Sequence, residues 1–177
     1  MIPSAHLEKL FSRNYRFISR YICGNHRIDS RLVSKFINEF PVKPAEVTLY
    51  RAEVQSLAGK KNKKRLMSAS AGKFSATKGC VSMLKHRNYA LAQPTEIHQT
   101  KINIYEIKNA EVLLDEYEIG MFADWCNQNH LLPGLQMIET YTVENEREFI
   151  IKSNAEKILV DEIDLSLPEY NNIASYE

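Results

Sequence analysis

The sequence predicts an α+β fold in a single domain, residues 1–177, with helices first and a β-rich remainder. Three observations carry that expectation. Apolar residues recur at three- and four-residue steps through the first 45 positions. Short runs of β-forming residues then appear at 47–51, 73–77, 102–108, 147–152 and 157–164. Strands and helices do not alternate in the way a parallel βαβ sheet requires. At 177 residues, with 44% hydrophobic and 25% charged content, the chain can bury a core without disulfide or metal staples.

The first helix is expected from about 4 to 22. Leu7, Leu10, Phe11, Ile18, Tyr21 and Ile22 share its inner side, while Lys9, Arg13, Arg16 and Arg20 lie outside. Pro3 and Ser4 stand where a helix begins, and Gly24 ends it. Asp29 or Ser30 caps a second helix bearing Leu32, Val33, Phe36, Ile37 and Phe40, which Pro41 and Pro44 terminate. Together, residues 1–45 form a helical lead-in and 47–165 a β-rich core.

Val47–Arg51 reads as a buried strand. Residues 59–65 are a basic run, ordinarily a solvated loop. Residues 65–70 and 73–77 read as short strands around an Ala71-Gly72 turn, and 78–87 as a short helix with Val81 and Leu84 inward. Residues 111–129 start apolar and become helical around Met121, Phe122 and Trp125, and Pro133-Gly134 marks a turn. The last two strands join through a turn near Ser153-Asn154.

Net charge is +1, from 23 basic and 22 acidic residues, which excludes a strongly basic nucleic-acid binder. The total conceals a split. Residues 1–90 carry 18 Lys and Arg against 5 Asp and Glu, whereas residues 91–177 carry 5 against 17. Such asymmetry signals a charged partner or attraction between the halves. Cys23, Cys80 and Cys126, odd in number and widely spaced, read as free thiols in a reducing compartment. With no signal-peptide run and no span of membrane length, a cytoplasmic location is expected.

Several signatures are missing. There is no GxGxxG and no Walker A loop. Cys23-x-x-His26 lacks a second ligand pair, so no metal is expected. Ser82-x-x-Lys85 lacks the partners of an acyl-enzyme motif, and His86 and His130 read as surface or capping residues. Three elements remain. Leu49-Tyr50-Arg51 places an arginine fork at the end of an apolar strand, suited to a phosphate or to a structural ion pair. Phe74-Ser75-Ala76-Thr77, read as a strand, would set two hydroxyls on one face, with Ser68-Ala69-Ser70 as a rival. Glu146-Arg147-Glu148 leads into Phe149-Ile150-Ile151, so a strand there would put two carboxylates on one face at the mouth of a core.

In that order, Arg51, Ser75-Ala76-Thr77 and Glu146-x-Glu148 resemble the R-S-E class of mono-ADP-ribosyltransferases, most of all the bacteriophage enzymes that modify host proteins, with toxins next. The resemblance covers about residues 47–165. It implies two packed antiparallel-rich sheets with NAD, the co-substrate, bound between them. Arg51, with Tyr50 beside it, would anchor NAD; Ser75 would line the nicotinamide pocket and steady the catalytic Glu; Thr77 would support it. Glu148 would be the catalytic acid, stabilising charge as nicotinamide leaves. Glu146 would orient the acceptor, which the Glu at this position makes an arginine side chain of a protein. Residues 136–143, with Tyr141, would recognise that acceptor. Glu144-Asn145-Glu146 is a second Glu-x-Glu, so a shifted pair remains open. Two other readings compete: a nucleic-acid-associated binding protein built on the basic half, and an inactive member of the fold acting by protein contact.

Overall fold

The structure is a computed structural model, and it describes residues 2–22, 29–55, 65–90, 101–131 and 147–166, with side chains through 81 in the third segment. Among the described residues, four helices accompany seven strands: α1 (Ala5–Ile22), α2 (Ser30–Glu39), β1 (Lys43–Pro44), β2 (Leu49–Val54), β3 (Leu66–Ser70), α3 (Lys73–Ala90), β4 (Lys101–Lys108), β5 (Glu111–Leu114), α4 (Glu116–Gln128), β6 (Glu148–Lys152) and β7 (Glu156–Asp164). The α+β class and the N-terminal helices stand as expected. The Gly24 stop and most of the 59–65 run lie outside the described residues.

Local chemistry sets the helix boundaries. The Leu7 amide donates to the Ser4 hydroxyl at the start of α1. Asp29 caps α2 by accepting from the Arg31 amide at 2.9 Å, and the helix stops one residue short of the Phe40-Pro41 pair. Asp115 and Glu118 form a reciprocal capping box at α4. Each helix then buries its apolar stripe. Phe17 meets Phe36 at 4.6 Å between ring centroids, and Phe11 meets Phe122 edge-on at 5.2 Å. α1, α2 and α4 thereby form one layer over Leu66, Leu114 and Ile150 of the sheet.

All pairings are antiparallel, in one sheet ordered β1-β5-β6-β3-β2-β4-β7. This corrects the expectation of two separate packed sheets: a single sheet curls into a half-barrel. Side-chain alternation assigns its faces. Leu66 packs under the helices, whereas its neighbour Met67 joins Leu49, Ile107, Phe149 and Ile151 on the other face. α3 covers Val54, Ile102 and Ile104 through Cys80 and Val81. The sheet is unevenly stitched. Six register pairs join β2 to β4 and five join β3 to β6, but only Tyr50↔Ser70 joins β2 to β3. A four-strand part and a three-strand part therefore meet at one narrow joint.

Residues 73–77 form the first turns of α3, not a strand. Burial at Ala76, Thr77, Cys80 and Val81 follows the helical i, i+4 period, which continues into the segment expected to be helical from 78. Thr77, a β-former, is accommodated because its hydroxyl donates back to the Lys73 carbonyl at 2.8 Å. The fully buried Phe11 ties α1 to α4. Phe11→Ala is expected to lower unfolding free energy by about 3–5 kcal/mol with the m-value unchanged, read from urea denaturation.

Candidate active site

The joint between β2 and β3 gathers the polar groups. Arg51 leaves β2 on the face opposite the helices, and its guanidinium reaches into the joint. There Nη1 donates to the Ser68 carbonyl oxygen at 2.8 Å, and Nε donates to Glu53 at 2.7 Å. This arginine makes a structural ion pair, and it crosses between strands where the ladder is nearly absent. Among the described residues these are the bonds its five-donor fork makes, so further N–H groups remain for an anion.

Glu148 opens β6 and pairs directly with Ser70 of β3. Its side chain lies on the helix-covered face with Ser68, which is two residues from Ser70 and on the same side of β3. Burial pushes the Glu148 carboxyl upward, against the opposing pull of a hydrogen bond with Ser68 and of the Arg51 charge. From α1, the Tyr21 hydroxyl oxygen comes within 3.2 Å of the Ser68 hydroxyl. Burial drives the Tyr21 phenol up to about 12, so it stays a neutral hydrogen-bonding group. Arg51, Ser68, Glu148 and Tyr21 thus form one connected cluster.

The entry to this strand is clamped. Arg147 forms a bidentate pair with Glu116 of α4, at 2.9 and 3.1 Å, and Glu116 is only 5% exposed. Arg147 Nη1 also donates to the Ala71 carbonyl, while the Ala71 amide donates to the Arg147 carbonyl. The β3–α3 turn and the start of β6 are locked together by these bonds. Arg147 has φ 44°, in the left-handed region. The extended alternation expected through 146–148 is therefore broken at its middle residue, and a shared strand face does not follow for Glu146 and Glu148.

The sequence-predicted residues separate accordingly. Arg51 and Glu148 come together. Ser75 and Thr77 sit on α3, about 200° apart around the helix axis, so they cannot present two hydroxyls on one strand face. Among the described residues no hydrogen bond links either to Arg51 or Glu148. The serine at the cluster is Ser68, of the rival Ser68-Ala69-Ser70 segment. Tyr50 points to the α3 side and packs on the Val54–Ile104 cluster. Glu146, Glu144 and Tyr141 lie outside the described residues. The sequence reading missed the Arg147–Glu116 clamp and the polar use of Tyr21. Only Glu116, a carboxylate next to the helix cap, carried a signal, and it was a weak one.

Elsewhere the chemistry is quiet. Cys80 and Cys126 are free and buried, with thiols pushed up to about 12 by desolvation. His130 follows α4 at φ 52° with its amide on Asn127, in keeping with a capping position. No helix among the described residues is long and apolar enough to cross a membrane. No family model, curated protein or solved structure matches the chain.

The raised Glu148 carboxyl has a thermodynamic consequence. In the folded state it holds its proton over a pH range in which the unfolded chain has released it. That contribution to stability is full below the unfolded carboxylate value and is lost as pH rises through the folded one. Glu148→Gln, neutral throughout, escapes this loss. Urea midpoints of the two proteins should nearly coincide at about pH 4 and diverge in favour of the Gln variant as pH rises to about 8. Parallel curves would show that burial does not control this carboxyl.

Proposed function

We propose that this chain is a mono-ADP-ribosyltransferase of the R-S-E class, transferring ADP-ribose from NAD to an arginine side chain of a protein and releasing nicotinamide. The observation that carries the reading is the convergence of Arg51, Ser68 and Glu148, from three strands distant in sequence, on one weakly stitched joint. Ser68-Ala69-Ser70 supplies the Ser-x-Ser element here, in place of Ser75-Ala76-Thr77. The two parts of the sheet meeting at Tyr50↔Ser70 stand for the two sheets that the ADP-ribosyltransferase fold places on either side of NAD.

The residues present suit such a co-substrate. The Arg51 fork offers planar N–H donors to a pyrophosphate. Ser68 shares the Glu148 face of the sheet and favours its ionised form, and the Ser68 hydroxyl donates to the Tyr21 oxygen. Glu148, when ionised, would accept a hydrogen bond from the nicotinamide ribose 2′-hydroxyl and stabilise the positive charge that grows as the glycosidic bond opens. The Arg51 charge favours that ionised form against the effect of burial. Glu146, just before the left-handed Arg147, would orient and deprotonate the acceptor guanidinium. Arg147, held by Glu116, directly follows that carboxylate in the chain.

The test is transfer of labelled ADP-ribose from NAD to protein in a cell lysate. Glu148→Ala is expected to cut labelling about 10²–10³-fold, as for loss of a main electrostatic stabiliser. Ser68→Ala should cost roughly fivefold to tenfold, the worth of one hydrogen bond, and Ser75→Ala much less. Labelling that persists in Glu148→Ala would sink the assignment.

A second measurement concerns pH. The acidic limb of kcat/KM should lie above the ordinary glutamate range, because Glu148 must ionise to act. Arg51→Gln should lower kcat/KM and move that limb higher still, since the charge opposing burial is gone. A limb that stays in place would mean that Arg51 does not act on Glu148.

A further inference from the structure

Strand β7 ends the sheet. Among the described residues it bonds to β4 along one side, and no strand lies along the other. Long apolar edges are normally shortened, covered or interrupted by charge, because their open N–H and C=O groups recruit other chains. This one runs nine residues, and at its centre Ile158, Leu159 and Val160 are 40%, 49% and 38% exposed. Ile158 and Leu159, opposite Glu106 and Tyr105, point to opposite faces, so the edge is apolar above and below, and the register shifts at Val160 before Asp161 pairs with Ile104.

Glu156 and Asp164, at the ends of β7, lie opposite Lys108 and Lys101 of β4, whereas Asp161 and Glu162 beside the apolar centre lie opposite the uncharged Ile104 and Asn103. β7 carries Glu156, Asp161, Glu162 and Asp164 against Lys157. The Lys157 ammonium is already engaged, at 3.0 and 3.1 Å from the two Glu53 oxygens. Two copies of such a strand laid together would oppose acid to acid. An extended segment rich in Arg and Lys, with apolar residues between, would match it in both charge and surface.

The edge is also aligned with the cluster. Arg51 pairs with Tyr105, and Tyr105 with Leu159, so the three stand in a row on one face. Leu159 is two strand spacings from Arg51, about 10 Å. Lys157 covers the Tyr105 ring at 4.9 Å and holds Glu53, which in turn holds Arg51. A strand added at β7 would therefore run parallel to the site at short range.

We propose that the open edge of β7 receives an extended basic segment of a partner protein as an added strand. Resting on the transferase reading, we assign that partner as the protein whose arginine is modified.

The probe is a labelled peptide of the length of β7, alternating Arg with Val and Thr, titrated by fluorescence anisotropy without NAD. Saturable binding is expected, weakened at least tenfold in Asp161→Lys/Glu162→Lys. It should be abolished by N-methylating one alternate set of peptide amides and retained with the other set methylated, as a one-sided ladder requires. The proposal is overturned if the basic peptide fails to bind. It is also overturned if binding ignores N-methylation, or if the protein sediments as a dimer that Leu159→Lys dissociates. Transfer to a small guanidine compound separates the two readings. The Asp161→Lys/Glu162→Lys variant should keep that transfer while losing label on protein acceptors; equal losses on both would overturn edge docking. Peptide binding without transfer to any acceptor would leave the edge in place and end the transferase reading.

Discussion

Everything at the candidate site depends on the near-absence of a ladder between β2 and β3. A fully paired joint would occupy the Ser68 carbonyl with a backbone N–H and leave no place for a guanidinium. With Tyr50↔Ser70 as the single pair, the strands part, and Arg51 bridges them with a side-chain bond. The substitution is costly to undo. An unpaired carbonyl in this setting loses on the order of 1–3 kcal/mol, and the arginine charge would lose two partners at once. The same opening lets a residue from one face of the sheet act electrostatically on Glu148 at the other. Without the gap, the sheet would insulate the two.

The frame around the gap is built to hold Glu148 still. Its own strand is central, with β3 on one side and β5 on the other. The residue before it is strained into the left-handed region, which a β-carbon disfavours, and stays there because three groups hold it. Glu116 is the expensive member of that set, a carboxylate almost wholly removed from water. Arg147 compensates it with both arms of its fork, the geometry that makes a buried pair tolerable. Tyr21 adds a contact from α1, so the N-terminal helices do more than cover the sheet: one of them reaches the polar cluster.

Legibility in the sequence followed the range of the interactions involved. α1, α2 and the strands β2, β4, β6 and β7 were readable to within a few residues, because apolar period and caps are local signals. The 73–77 segment was misread for a local reason as well. Lys78-Gly79 breaks the apolar pattern of α3, and Ser and Thr read as strand formers, although Thr77 satisfies its hydroxyl within the helix. Arg51 and Glu148 were found because a charged residue beside an apolar run is conspicuous. Choosing between Ser68 and Ser75 needed the β3–β6 register, which no local pattern encodes. The Arg147–Glu116 clamp joins residues 31 apart, and only the carboxylate beside the α4 cap hinted at it.

The charge split also takes a physical form. β2 and β3, from the basic half of the chain, lie between β6 and β4, from the acidic half, so the halves interleave at the centre of the sheet. Part of the opposite charge is neutralised where they meet: Lys43 bonds Asp115 and Glu118, and Lys157 bonds Glu53. Among the described residues, exposed cations of α1 and α2 cover the β5-β6-β3 part, while the acidic residues of β7 lie at the far edge beside Lys101 and Lys108 of β4. A net charge of +1 is thus made of two oppositely charged halves that share one sheet. The joint at Arg51 sits where these halves meet, and there the arginine charge favours ionisation of a Glu148 carboxyl that burial pushes upward.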